Sequence, residues 1–340
     1  MNTTTRIRSD IDYDRPGKQT SVLRLVHSDN ETPWGFIPVP VAVIAGGRFG
    51  RENTVLLSAG NHGNEYEGQV IVRRLIRELD PEAMNGRVIV LPALNYPAVM
   101  ENSRVSRIDG VNMNRAYPGD PDGTPTPAMA HYVETVVLPQ CAAAADLHSG
   151  GAVSDFLPCA YMRHAGEAEF MARKLAACDA FAAPWTVVVS GTADNRSLSA
   201  SCDRNGVVMV ATELAGSAGM DLDALEIGYA ATRRYLAHFG IIGDSPAADA
   251  ATRYIQTPDA SWFVWATADG IFEPAVRLGD TVHAGQQAGL IHPLNDPFRE
   301  PDVIHFAHGG IIAAIHTPAI VHRGQYVFQV AEEIDAARLT

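Results

Sequence analysis

The sequence lacks the features that mark secreted, membrane-spanning and disulfide-rich proteins. Its four cysteines form no Cys-x-x-Cys pair in 340 residues, so neither a disulfide framework nor a thiolate metal site is supported. No run of about 18 apolar residues occurs, and the polar N-terminal stretch MNTTTRIRSDIDYDRPGKQ has no apolar segment of the kind found in signal peptides. We therefore expect a cytoplasmic protein whose cysteines are small buried side chains.

Positive charge is also scarce. The chain has 26 lysines and arginines against 39 aspartates and glutamates, a formal net charge of −13, and no cluster of basic residues. A surface of this sign repels phosphate backbones. Neither nucleic acid nor a membrane is therefore an expected partner, and the general expectation for such a chain is a homo-oligomer.

What the sequence does contain is a regular alternation of buried strands and amphipathic helices. Between about Ile37 and Leu94 the runs PVPVAVIAGG, TVLLSAG and RVIVLPALN indicate strands, and the apolar stripe of residues 70–79 indicates a helix. Helices are also predicted at 128–138, 166–177 and 222–239, and strands in AAAADLH, PWTVVVS and GVVMVATEL. The pattern predicts a doubly wound α/β domain with a mixed sheet, residues 1–255.

After the linker-like stretch IIGDSPAADAAT, glycine-punctuated short strands predict a small all-β domain, residues 256–340. Segments 268–286 and 308–325 both end in V-H-x-G-Q, which indicates an internal repeat. This module resembles the barrel-sandwich hairpins of biotinyl and lipoyl carriers, but no lysine follows Lys174 to carry a group. We expect a structural or oligomerising role, with six histidines here in the core or on the surface.

Two histidines and a glutamate follow predicted strands. His62 and Glu65 lie in the glycine-rich turn SAGNHGNEYEG between a strand and a helix, and His148 follows the strand AAAADLH. Because ligands of open α/β sheets bind at the carboxyl ends of strands, the three side chains are predicted to hold one catalytic zinc ion per chain. Two alternatives stay open: Glu65 as a first-turn acid at a helix dipole, and Asp146 as either a partner of a ligand imidazole or a backbone acceptor.

A hydrolytic zinc site also needs a base. Glu213 ends the buried run VVMVATE, where a carboxylate is costly unless it is paired or functional, and we predict that it is the general base and acid. The alternative is a structural ion pair with an arginine.

The loop SRVSRIDGVNMNRAYPGD supplies the predicted substrate contacts. Arg115 can clamp a substrate carboxylate in a bidentate manner, with Asn114 beside it as a neutral donor. Arg107 is predicted to polarise the scissile carbonyl, and Arg104 competes for that role.

The motifs N-H-G-N-E-Y-E-G, N-M-N-R, D-L-H-S-G-G and T-E-L-A-G occur in one order, and the set resembles the succinylglutamate desuccinylase/aspartoacylase family. The resemblance covers most of the chain and implies a fold of the zinc-carboxypeptidase type. It assigns metal binding to His62, Glu65 and His148, substrate carboxylate binding to Asn114 and Arg115, and catalysis to Glu213. The spacing of Arg107 matches the arginine that polarises the carbonyl in the family.

Within the family, NHGNEYEGQV, NMNRAYPGDPDGTPT and DLHSGG are most similar to bacterial deacetylases of Nα-acetyl-L-2,4-diaminobutyrate in ectoine breakdown. That subgroup has S-P-I-D-G where this chain has S-R-I-D-G at 106–110. The resemblance implies a zinc amidohydrolase that removes an acyl group, acetyl in the first instance, from a small Nα-acyl amino acid. The alternatives are desuccinylase or aspartoacylase activity, a carboxypeptidase, and a binding protein with a vestigial site.

Overall fold

The structure is a computed structural model that describes residues 5–29, 33–190 and 194–339; the first four residues of the polar N-terminal stretch lie outside these ranges. The strands up to residue 256 are β1 Ile7–Arg8, β2 Gly17–Val26, β3 Phe36–Ala45, β4 Thr54–Ala59, β5 Arg87–Leu91, β6 Ala143–Leu147, β7 Ser154–Phe156, β8 Cys159–Arg163, β9 Trp185–Val189, β10 Val208–Glu213 and β11 Arg253–Gln256. The helices are α1 Glu67–Glu78, α2 Tyr96–Met100, α3 Pro125–Tyr132, α4 Ala168–Phe181, α5 Leu198–Arg204 and α6 Leu222–His238.

One large mixed sheet organises the molecule. Its strand order is β1-β2-β3-β5-β4-β6-β10-β8-β9-β11, and it continues into strands near the C-terminus. Strands β5, β4, β6 and β10 run parallel to one another, whereas β3 and β8 flank them in the antiparallel direction. The predicted α/β fold with a mixed sheet is confirmed.

Apolar cores cover both faces of this sheet. In β4, Leu57 faces the core built by α1, α4 and α6, whereas its neighbour Leu56 faces the core that includes Leu198 of α5. Successive side chains of a strand point to opposite faces, so a strand covered on both sides must be apolar throughout. This requirement explains the continuous apolar runs of β4, β5 and β6.

The predicted helices are present with shifted ends. Residues 70–79, 166–177 and 222–239 correspond to α1, α4 and α6, and 128–138 begins earlier as α3 and continues through a π-helical turn, Val133–Val137. Strand β8 and helix α5 have no counterpart among the predictions. Both are short, five and seven residues, and CAYMR mixes polar with apolar side chains, so neither has a distinct periodicity.

The C-terminal part is a β sandwich. Its strands are β12 Phe263–Trp265, β13 Gly270–Pro274, β14 Thr281–Val282, β15 Gln287–His292, β16 Asp302–His305, β17 Gly310–His316, β18 Ile320–Val321 and β19 Tyr326–Glu333. One layer is the separate sheet β16-β15-β13-β18, and the other extends the large sheet through β19 and β17. Because β11 pairs with both β9 and β19, hydrogen bonds cross the proposed boundary at 255/256, which stays a prediction.

The internal repeat has a structural counterpart in two equivalent turns. In the first, the side chain of Gln286 accepts a hydrogen bond from the backbone of His283 at 3.0 Å, and in the second Gln325 does the same for His322 at 2.9 Å. The glycine between each pair has a positive φ, +80° and +89°, which a side chain would strain. The V-H-x-G-Q motif is therefore a turn motif.

All four cysteines are free and buried, as expected. Within the described ranges, no helix has the length and apolar character needed to cross a membrane. The cytoplasmic location and the homo-oligomer stay predictions.

Candidate active site

Three neighbouring parallel strands bring the predicted residues to one edge of the sheet. His62 follows β4, His148 follows β6, and Glu213 is the last residue of β10. The register of the strands pairs Asp146 of β6 with Ser58 on one side and with Ala211 on the other, so the three carboxyl ends lie level. Side chains that leave these ends therefore converge on one crevice.

Both imidazoles face the same carboxylate. The Nδ1 atom of His62 lies 2.7 Å from Oε1 of Glu65, and the Nδ1 atom of His148 lies 2.7 Å from Oε2 of Glu65. All three residues are buried, and one donor atom from each lies within 4.8 Å of the others, close enough to hold a single metal ion. Burial opposes ionisation, but His148 and His62 hold the pKa of Glu65 below its usual range.

Two glycines shape the turn that carries these ligands. Gly60 has a φ of +68°, a conformation that favours glycine, directly after the buried strand β4. A Cβ atom at Gly63 would lie 2.0 Å from the carbonyl oxygen of Ala98, so only glycine fits there. The turn thus lies against the 98–103 segment at Gly63, whose backbone N–H also donates to the carbonyl of Ser103 at 2.9 Å.

The outer nitrogens of both imidazoles also have partners. Nε2 of His148 lies 2.8 Å from Oδ2 of Asp146, and Nε2 of His62 lies 3.1 Å from Oδ1 of Asn112. Asp146 in turn accepts hydrogen bonds from Ser58 and Asn61. Of the two interpretations of Asp146, the geometry favours the partner of a ligand imidazole. Such contacts orient metal-binding imidazoles and select the tautomer that leaves Nδ1 free.

Glu213 lies in the same crevice without a structural partner. Its Oε2 atom is inaccessible to solvent and has no hydrogen-bond partner, and Glu213 forms no ion pair with any residue that the structure describes. Burial, together with the charge of Glu65, raises the pKa of Glu213 to about 8. A buried carboxylate with a raised pKa in a cleft is typical of a group that exchanges protons rather than of a structural ion pair.

The crevice opens into a pocket of about 290 Å³. Its lining includes His62, His148, Glu213, Asn114 and Arg115, so two of the three predicted metal ligands, the predicted base and the predicted carboxylate-binding residues share one cavity. The same lining also contains Arg104 and two residues of β8 that were not predicted, Tyr161 and Arg163. No sequence signal marked the two from β8, because that strand was itself missed.

The two competing arginines lie in different places. Arg104 is part of the pocket wall, and its Nη1 atom lies 3.4 Å from Oε1 of Glu65. Arg107 is exposed and does not line the pocket, and its backbone N–H donates to the side chain of Glu101 at 2.9 Å. An eight-residue spacing to Arg115 does not indicate where the side chain of a loop residue points.

A cationic substrate side chain would need an acid near the site, and the sequence does not distinguish three candidates, Asp109, Asp155 and Asp194. Of these three, only Asp194 lines this pocket. Asp109 accepts two hydrogen bonds from Thr126, at 2.8 and 3.0 Å. Asp155 lies on β7, where burial raises its pKa. In Asp194, Oδ2 lies 3.2 Å from Nε of Arg115 and 2.6 Å from Arg196.

Comparison with known proteins places this geometry in a family. The model of the succinylglutamate desuccinylase/aspartoacylase catalytic domain matches residues 51–239. An N-alpha-acetyl-L-2,4-diaminobutyric acid deacetylase from Halomonas elongata is 34% identical over 331 residues, 97% of this chain and 96% of that protein.

Solved structures agree over nearly the whole chain. A succinylglutamate desuccinylase/aspartoacylase from Rhodobacter sphaeroides is 36% identical with a TM-score of 0.92, covering 97% of this chain and 100% of that one. The product-bound ectoine utilization protein EutE (DoeB) from Ruegeria pomeroyi is 33% identical with a TM-score of 0.92, covering 97% and 99%.

Proposed function

This chain belongs to the succinylglutamate desuccinylase/aspartoacylase family, and from that premise we propose that it is a zinc-dependent hydrolase that removes the acetyl group of Nα-acetyl-L-2,4-diaminobutyrate. Family membership makes it a hydrolase of amide bonds. The observation that carries the proposal is the convergence of two imidazoles and one carboxylate within 4.8 Å, in a pocket that also contains the unpartnered Glu213.

The donor set fits zinc. His62, Glu65 and His148 would hold the ion, and two histidines with one glutamate are a known ligand set of catalytic zinc. Zinc in such a set supplies Lewis acidity, which makes water nucleophilic near neutral pH and polarises a carbonyl. Asp146 and Asn112 support the fit, because each faces the outer nitrogen of one imidazole.

Glu213 moves the proton in this mechanism. As a base it accepts a proton from the attacking water, and as an acid it returns the proton to the departing α-amine. Burial raises its pKa toward neutrality, the range in which a carboxylate can both accept a proton and return it. Cys159 donates to the backbone carbonyl of Glu213 rather than to its side chain, which leaves the carboxylate free for the reaction.

The arginines bind the two ends of the substrate. Arg115 and Asn114 line the pocket and bind the α-carboxylate, as the family motif implies. For the developing oxyanion we propose Arg104 rather than Arg107, because Arg104 lines the pocket beside Glu65 and Arg107 does not line it.

The substrate is proposed from the relatives. The Halomonas protein is named for Nα-acetyl-L-2,4-diaminobutyric acid, and the Ruegeria structure is named for ectoine utilization; both align with about all of this chain. A succinylated or acetylated acidic amino acid is the alternative within the family, and a small peptide is the alternative for the same metal ligands.

The test is amine release by the zinc-loaded protein from Nα-acetyl-L-2,4-diaminobutyrate, N-acetyl-L-aspartate, N-succinyl-L-glutamate and a hippuryl dipeptide at equal concentrations. We expect kcat/KM for the first to exceed the others by roughly 100-fold or more, a difference of about 3 kcal/mol in transition-state binding. Preferred hydrolysis of an acidic substrate would replace the proposed amino acid, and preferred hydrolysis of the dipeptide would replace the deacylase by a carboxypeptidase.

A further inference from the structure

We propose that Asp194 binds the side-chain ammonium of the substrate, and that the substrate replaces the ion pair between Arg115 and Asp194 when it enters the pocket. Arg115 and Asp194 face each other at 3.2 Å, so the residue expected to bind the α-carboxylate is paired with an acid when no substrate is bound. The inference rests on the proposed function, because it assumes an Nα-acyl amino acid in this pocket.

Asp194 is the acid available for this role. Among the described residues, the acids that line the pocket are Asp194 and Glu213, and Glu213 is committed to proton transfer. The hydrogen bonds and charge of Arg196 hold the pKa of Asp194 below its usual range, so this carboxylate is ionised near neutral pH.

The other positive groups of the pocket already have acceptors. Arg104 lies against Glu65 at the metal end. Arg163 contacts the carbonyl of Asp194 at 3.2 Å, the side chain of Asn195 at 2.9 Å and Asp203 at 3.5 Å. Arg163 is therefore a positioning residue for the 194–195 segment, and it binds the backbone of Asp194 rather than its carboxylate.

Backbone contacts hold the facing segments in register. The backbone N–H of Leu198 donates to the side chain of Asn114 at 3.0 Å, and the backbone N–H of Tyr117 donates to the carbonyl of Arg196 at 3.1 Å. Arg196 clamps both oxygens of Asp194, at 2.8 and 2.6 Å, from the exposed side. Asp194 is thus fixed from outside, and its contact with Arg115 is the one that a ligand can replace.

A diamino acid acylated on its α-nitrogen matches this pair. Its carboxylate takes the place of Asp194 on Arg115, and its side-chain ammonium takes the place of Arg115 on Asp194. Both protein charges therefore remain paired in the complex, in charge-assisted contacts with the substrate. A neutral side chain leaves Asp194 without its inner partner, and an acidic side chain is repelled by it, which yields selectivity for a basic side chain.

The experiment compares wild type with Asp194→Asn on three substrates that differ only at the end of the side chain: Nα-acetyl derivatives of L-2,4-diaminobutyrate, L-norvaline and L-glutamate. For the substitution we expect kcat/KM for the ammonium substrate to fall roughly 10- to 100-fold, mainly through KM, as one charge-assisted contact is lost. The value for norvaline should stay within about three-fold, and that for glutamate should rise. The matched control is Asp10→Asn, since Asp10 forms a similar bidentate pair with Arg24 at 2.7 Å on the edge strands.

A purely structural role of Asp194 predicts a different result. Loosening of Arg115 would lower kcat/KM for all three substrates together, and that outcome would overturn the inference. So would a wild-type enzyme that hydrolyses the norvaline and diaminobutyrate derivatives equally well. If wild type hydrolyses none of the three with zinc bound, the proposed function fails instead, and the two failures are thereby distinguished.

Discussion

Histidines at the edge of the large sheet and histidines in the β sandwich show how differently the same side chain can be used. His62 and His148 are buried and share one carboxylate, each at 2.7 Å. In the sandwich, His292 forms a pair of the same length with Glu273, but both side chains are substantially exposed, 42% and 62%. His308 stacks on Trp262 at 4.5 Å and contacts Ser261.

The difference lies in topology rather than in the number of histidines. The sandwich contains six of the twelve histidines, yet the group of three potential metal ligands found within the described ranges is His62, Glu65 and His148. Parallel strands end at one edge and bring distant residues together, whereas antiparallel hairpins distribute their ends over opposite edges. An exposed histidine–carboxylate pair contributes about 0–1 kcal/mol and has no third donor.

The largest effect should come from removing one convergent imidazole. We expect His148→Ala to abolish stoichiometric zinc binding and to lower turnover by roughly 1,000-fold or more, because the Lewis acid contributes several kcal/mol to catalysis. Metal content by mass spectrometry and turnover of the preferred substrate measure this, with circular dichroism as the check on folding. His292→Ala is the matched control and should retain both properties. Full zinc occupancy in His148→Ala would contradict the assignment of the site.

The next largest effect should distinguish Glu213 in the pocket from Glu273 in the β sandwich. Glu213→Gln should lower kcat by about 100- to 10,000-fold while zinc remains bound, because an amide cannot accept the proton of water. Glu273→Gln, on an exposed strand of the sandwich, should change kcat by less than about two-fold. Wild-type turnover by zinc-loaded Glu213→Gln would remove Glu213 from the mechanism.

Local sequence predicted that His62, Glu65 and His148, the candidate metal ligands, lie together, because their positions follow from secondary structure alone. A polar residue directly after an apolar strand must lie at that strand's carboxyl end, and glycines before and after His62 indicated a tight turn. The β sandwich was predicted on the same grounds, from glycine-punctuated short strands. The pairing of β11 with β19, which attaches the sandwich to the large sheet, was not predicted, because pairing between strands distant in sequence has no local signal.

The pocket wall was harder to predict for a physical reason. Residues 103–120 and 194–198 are largely irregular, so the direction of a side chain depends on long-range contacts such as Leu198 with Asn114. Periodicity does not apply to such segments. The sequence therefore could not separate Arg104 from Arg107, or Asp194 from Asp109 and Asp155, and it gave no signal for Arg163.

Arg104 and Arg107 provide the third test. Arg104→Gln should lower kcat by roughly 100- to 1,000-fold, the usual loss when one group that stabilises an oxyanion is removed. Arg107→Gln should change kcat by less than about three-fold, because Arg107 is not part of the pocket wall. Steady-state kinetics at saturating substrate measure both. The reverse order of effects would restore Arg107 to the role that its spacing suggested.

The smallest predicted effect concerns the outer partner of a ligand imidazole. Asp146→Asn keeps the size of the side chain but removes the charge that lies 2.8 Å from Nε2 of His148. Burial opposes ionisation of Asp146, yet His148 holds its pKa below the usual value, so the two groups interact strongly. Without that charge the imidazole of His148 is a weaker zinc ligand, and its orientation is less restrained. Zinc affinity should therefore fall about 10- to 100-fold. Competition with a chelator measures the affinity.

Asp269→Asn, which removes the exposed acid 3.5 Å from His322, should leave zinc affinity unchanged because no other donor converges there. An equal affinity in Asp146→Asn and wild type would mean that the imidazole is oriented by packing alone, and the contrast between the sheet edge and the sandwich would then rest entirely on the convergence of the strands.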